Sequence, residues 1–305
     1  LSTGQLNALT AIELNALSDS QLQSLSTAQV NGLSSSSVAK LKASQVAALS
    51  TAQVAAMTSD QVKSLTVLSV AALSANQLNA MTTTQVQSLT ANQLKSLSGS
   101  TVASLNTTQV AALSTAQVAG LSVASLAALS NTQVAAMTTT QVQSLTDLQI
   151  KSLSADQVTA LTSTQVSALQ TSQLKSLSTA QLQALDASDV AAMGTAQVQA
   201  LTDTQVKAMT TAAMAALTTT QVGALTTGQV KALSAAQVTA LTTASVAKLS
   251  TTQLSALSST QVRALTTSAV AGMSSTQVNA LSTSQVASLS TEQVNALSTS
   301  TLSGL

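Results

Sequence analysis

The sequence contains no cysteine, histidine, proline, tryptophan, tyrosine or phenylalanine in 305 residues, and only 6% of its residues are charged. Without cysteine there are no disulfides, which suits a reducing cytosol or a secreted protein that does without bridges, so no compartment follows. Without histidine there is no imidazole base, and without aromatics any core is aliphatic. A formal net charge of +1 leaves neither a basic footprint for nucleic acid nor an acidic tail. Mean hydropathy is positive, at +0.36. Yet the apolar runs are short, as in Ala212 to Leu217, where about 18 or more residues are needed to cross a bilayer. No transmembrane segment is expected. No signal peptide, starting methionine or tag is visible, and the chain opens and closes on the leucine of its own repeat, so it reads as a segment of something longer.

What is present is one short pattern. A Leu or Met recurs at every eighth residue from Leu1 to Leu305, and Leu49 to Met57, LSTAQVAAM, shows the unit. With Leu as position one, Ser or Thr follows at two, Gln stands at five, Val at six and a small residue at eight. No linker, charge block or composition shift interrupts this register, so residues 1–305 read as a single uninterrupted octapeptide array.

Period eight excludes several architectures. On a continuous α-helix of about 100° per residue, the leucine stripe would drift by about 80° per repeat and no partner could bury it. Coiled coils need a period near 7 or 11. In a strand, Val54 and Met57 would fall on opposite faces, so the strand would bend inside every octad.

Capping chemistry favours very short helices. Position two is Ser or Thr in 33 of 38 octads, and Asn106, Asp186 and Gly194 are also good N-caps; only Lys42 and Gln170 are not. Position five, three residues later, is Gln in 28 octads and Glu at Glu13, so a capping box is restated along the chain. Leu before the cap and Val at the fourth helical position form a hydrophobic staple. The charges agree, since a short helix favours anions in its first turn and cations in its last. All nine acids fall at positions two to five; nine of the ten bases fall at seven and eight, Lys42 being the exception. A β-solenoid, the alternative, gives no reason for that segregation and would place Gly, Asn or Asp at its corners. The pattern therefore predicts an all-α solenoid of very short helices, one per eight-residue repeat. Isolated helices of this length are unstable in water, so the units exist only as a stacked array. Small residues at position eight, in all octads but those of Lys40 and Lys248, allow close approach of neighbouring coils.

Two details remain open at this level. Gln at position five is explained by capping alone, the reading favoured here, or also by a ladder between coils, for which a neutral donor and acceptor is suited where Glu would align like charges. Leu6, Leu14, Leu22 and Leu302 mark candidate edge units. The octads round Ser37, Val67 to Ser69, Val123 to Ser125 and Thr211 to Met214 depart most from the motif and are expected to fray or bend.

Chemistry is scarce. Hydroxyls abound, but no histidine or clustered carboxylate is at hand to activate one. Asp186 and Asp189, the one close acidic pair, read as the cap and third residue of one helix. Six of the seven methionines replace the octad leucine and Met214 replaces the valine, which makes them core residues rather than metal ligands. The glycines form no phosphate-binding loop. We therefore expect no catalytic, cofactor-binding or metal residues, no cofactor and no enzymatic activity. The regular Ser and Thr hydroxyls at positions two to four leave one binding alternative, a lattice presented to ice or polysaccharide.

The octads LSTAQVAA and TTTQVQSL resemble the TTAQVAAL-type octapeptide repeats of very large secreted or surface proteins of proteobacteria, often described as haem-utilisation or adhesion exoproteins. That resemblance covers the whole chain and implies an extracellular, stalk-like or fibre-forming role. Haem use is not supported, because no His, Cys or Tyr is present to ligate iron. The expectation is a structural protein at or outside a bacterial cell surface, forming a rod, fibre or filament with copies of itself as partners. The alternative is the spacer of a surface adhesin, or the hydroxyl-lattice module. Replacing Ser50, Thr58 and Thr66 with Val is expected to cost about 1 kcal/mol each. Unchanged thermal melting of the triple variant would remove the basis for the caps.

Overall fold

The computed structural model describes residues 1–299 and 301. Among these there are 37 helices of four to six residues, and every one begins immediately after position two of an octad. The octad Met57 to Ser64 shows how local chemistry sets the boundaries. Thr58 is extended (φ −76°, ψ 160°), and its hydroxyl accepts the Gln61 N–H at 3.2 Å while Gln61 Oε1 accepts the Thr58 N–H at 2.6 Å. That reciprocal pair starts the helix Ser59–Ser64, with Asp60 in its first turn and Lys63 in its last. At the far end the Leu65 N–H reaches back three residues to the Val62 carbonyl at 3.2 Å, which tightens the last turn. Leu65 then turns extended, at ψ 141°.

Each corner is thus two consecutive residues in extended geometry, the octad leucine and the cap. No described residue has a positive φ, so the corners need no glycine, and the scarcity of glycine that argued against β-corners is explained. The same corners exclude proline. Their φ values suit it, but both N–H groups donate, as at Leu65 and Thr58, and proline has none.

The contacts divide the chain into two compact units, Leu1–Ala160 and Leu161–Leu305. Within each unit the packed helix pairs are three octads apart. In the first, Thr51–Ala56 lies between Thr27–Asn31 and Ala75–Ala80; in the second, Ala187–Ala192 lies between Ser163–Ala168 and Thr211–Ala216. Three octads therefore make one coil, and each unit is an all-α solenoid of stacked three-helix coils.

The staple residues form the core. Position six is sealed, as at Val62, Leu126 and Val142, and position one is buried beside it, with Met57, Met81, Met137, Met193, Met209 and Met273 filling leucine sites and Met214 a valine site. Position eight meets position three of the coil beneath. A Cβ on Gly120 would lie 3.0 Å from Ala91 Cβ, so the small residues there do set the spacing. Lys40 and Lys248, the two exceptions, are exposed beyond four-residue helices, Ser35–Val38 and Thr243–Val246.

The octads expected to fray keep their helices, at Ser35–Val38, Val67–Ala71, Val123–Ala127 and Thr211–Ala216. Their position-two hydroxyls still accept the position-five N–H, whatever side chain stands there. Of the candidate edge residues, Leu6, Leu14 and Leu22 are fully buried, and Leu302 lies outside the described residues. Leu126→Ala should cost about 2–5 kcal/mol in denaturant unfolding, whereas Leu148→Ala, 65% exposed, should change stability by less than about 0.5 kcal/mol. Equal losses would contradict the assigned core.

Candidate functional site, a ladder between coils

The most demanding group in this fold is the side-chain amide at position five. A six-residue helix leaves most of its terminal N–H and C=O groups without partners inside the helix, and its ends are packed against other coils rather than open to water. Gln61 serves two ends at once. Its Oε1 takes the Thr58 N–H, and its Nε2 donates to the carbonyls of Val30, Asn31 and Leu33 at 2.8, 3.0 and 2.6 Å. Those acceptors are the end of the helix Thr27–Asn31 and the corner after it, one coil away. The same reach recurs in the first unit at Gln53, Gln77, Gln85, Gln117 and Gln141, and in the second at Gln221, Gln229 and Gln261. Capping alone, the favoured expectation, is therefore too little: position five builds a ladder between coils as well.

Only glutamine fits both tasks at this burial. Gln61 is 2% exposed; a carboxylate there keeps the acceptor but loses the donor, and a buried carbonyl left unpaired costs about 1–3 kcal/mol. In the first coil position five is exposed, and Glu13 accepts the Thr10 N–H at 2.7 Å and its hydroxyl at 2.8 Å. Those two bonds hold its carboxyl below the usual glutamate range. Glu292 is lowered in the same way, first by its own N–H and then by the Ser290 hydroxyl. Where Ser69 replaces the glutamine, the cap survives at 3.1 Å, but its hydroxyl stands 3.5 Å from the Leu41 carbonyl beneath. Ala213 keeps only its N–H contact to Thr210, at 3.0 Å.

A second ladder runs in the opposite direction and was not foreseen. Polar side chains at position seven donate to the position-eight carbonyl of the next coil: Asn31 to Ala56 at 2.7 Å, Gln87 to Ala112 at 2.8 Å, Gln183 to Ala208 at 3.0 Å. The signal was Asn and Gln recurring at a position otherwise filled mostly by Ala or Lys, and their role needs the coil length, which the octad alone does not state.

Asp186 and Asp189 fall as the sequence implies. Asp186 Oδ1 accepts the Asp189 N–H at 2.8 Å and Asp189 Oδ2 accepts the Asp186 N–H at 3.1 Å, a capping box with acids at both ends. The Ser163 hydroxyl adds a bond to Asp189 Oδ1 at 3.0 Å. Burial pushes the Asp189 carboxyl above the usual aspartate range, against the lowering effect of these donors.

Among the described residues no helix is long and apolar enough to cross a membrane. Repeated capping boxes, an aliphatic interior and the amide ladder define the class: an all-α solenoid built from octapeptide units. The chain belongs to the ALTTAQ repeat family, whose model matches residues 36–67, 91–123, 166–203, 202–235, 223–251, 230–267, 260–291 and 270–299, together more than half of its length. No curated protein matches it.

The ladder generates a direct test. Gln133, Gln141 and Gln149 each donate to a corner beneath, Gln141 to Val110 and Leu113 at 2.8 and 2.7 Å and Gln149 to Val118 and Leu121 at 3.0 and 2.9 Å, while Gln133 reaches Ala103 and Leu105. Changing all three to Glu should lower the melting temperature markedly at neutral pH and low salt. An unchanged melt would mean that the amide donors carry no weight.

Proposed function

We propose that this chain is a structural element of an extracellular fibre or stalk, without catalytic activity, and that its partners are further copies of itself. The observation that carries this reading is the two-faced coil. One face offers position-five side chains, as Gln61 offers its amide to Val30 and Leu33 of the coil beneath. The other offers aliphatic side chains and helix-end carbonyls. Inside each unit these two faces meet at every coil boundary, with donors against carbonyls and leucine against valine. Any pair of such faces on separate copies is complementary in the same way. A head-to-tail contact that does not close generates an open filament.

Membership of the ALTTAQ repeat family supports a repeat protein. The likeness of its octads to those of surface exoproteins supports a place outside the cell. The chemistry available supports scaffolding, since the hydroxyls at position two are committed to caps and the ladder amides to neighbouring coils.

Negative-stain electron microscopy and sedimentation over a range of concentrations test the proposal. Filaments of uniform width are expected. Isolated particles at every concentration would count against self-assembly and leave a monomeric spacer.

A further inference from the structure

Positions three and four open each helix, and among the described residues none of them belongs to the buried core. They are Ala, Gly or polar with five exceptions: Ile12 in the first coil, Val67, Leu68, Val123 and Leu148. The last four all lie in the first unit and are exposed, Leu68 to 75% and Leu148 to 65%. One exposed aliphatic side chain carries no meaning, but a group of them does. Val123 and Leu148 line a single groove of about 360 Å³ together with Asn92 and Lys95.

The groove lies between two stacks of helices. Ala91–Lys95 packs between Val67–Ala71 and Thr115–Gly120, whereas Val123–Ala127 packs between Gly99–Val102 and Asp147–Ser152. Leu68 adjoins the first wall, where the Ser96 hydroxyl donates to the Val67 carbonyl at 3.2 Å. Charge of both signs borders the apolar surface. Lys95 is part of the wall on the first stack, and Asp147 stands between Thr146 and Leu148, which form the wall on the second. Both charged residues are exposed.

We propose that this flank docks a second copy of the chain about a two-fold axis through the groove. An axis midway between Lys95 and Asp147 sets each lysine over the aspartate of the other copy, and it gathers Val123 and Leu148 of both copies between those two ion pairs. The surface is thus complementary to itself, as a two-fold contact requires. A partner patch of one sign would be repelled by either Lys95 or Asp147. The flank contact extends the end-to-end association proposed above to the side of the array, and rests on that reading only for the identity of the partner.

Sedimentation equilibrium with exchanged charges tests the pairing. The natural chain should form dimers. Lys95→Asp and Asp147→Lys each set like charges against one another across the axis, so each alone should weaken dimerisation about tenfold. An equimolar mixture of the two variants should recover most of the loss, because every acid again faces a base. Leu148→Asp should also weaken pairing, with helical circular dichroism unchanged. A natural chain without dimers, or a mixture that associates no better than either variant alone, would overturn the proposal. Electron microscopy separates the two contacts. Filaments whose width is the same for the natural chain, each variant and the mixture would reject the flank contact and keep the end contact; dimers that obey the charge exchange without filaments would do the reverse.

Discussion

A helix of six residues is nearly all ends. In an ordinary helix the middle turns outweigh the unpaired groups at the termini; here there is no middle, and the termini are buried against other coils. The position-five amide makes the arrangement possible, because one planar group accepts at the start of its own helix and donates to the end of another. Gln61 does this with four partners from a nearly sealed position. With the backbone groups satisfied, two aliphatic side chains per octad are enough to fill the interior.

The composition follows from that constraint. Ladder positions stay uncharged, Glu13 and Asp189 apart, because a carboxylate loses the donor and an ammonium loses the acceptor, and all the other charges but Lys42 lie near the helix ends that favour them. Proline is kept from the corners by the two N–H groups used there, and glycine is not required because the corners stay in extended geometry. Aromatic rings are not used, and the buried hydrophobic side chains among the described residues are leucine, valine, isoleucine, methionine and alanine.

Much of the fold was legible in the octad. The cap at position two, the staple of Leu and Val and the segregation of Asp and Lys are local, and they located the start of every described helix. What could not be read was the coil length. The period states how often a helix restarts but not how many restarts close a turn, and the partners of Gln53, 28 to 31 residues earlier, depend on that number. The ladder was therefore left open and the position-seven contacts were unseen. Round Ser37 the helix is shortened to four residues, whereas round Thr211 it keeps six; in both the backbone N–H at position five still meets its cap.

The position-five ladder amides point one way along the chain. Each finds its acceptors in residues that precede it, as Gln85 finds Val54 and Met57, so during synthesis the carbonyls are already outside the ribosome when the glutamine emerges. Folding can then proceed as a zipper that closes behind the exit tunnel. Each new coil is sealed onto a finished one, without waiting for distant sequence, and the length of chain exposed at any moment is limited to about one turn of the array. For a protein made almost wholly of near-identical segments, that order of events also protects register, because the only unpaired template on offer is the coil completed last.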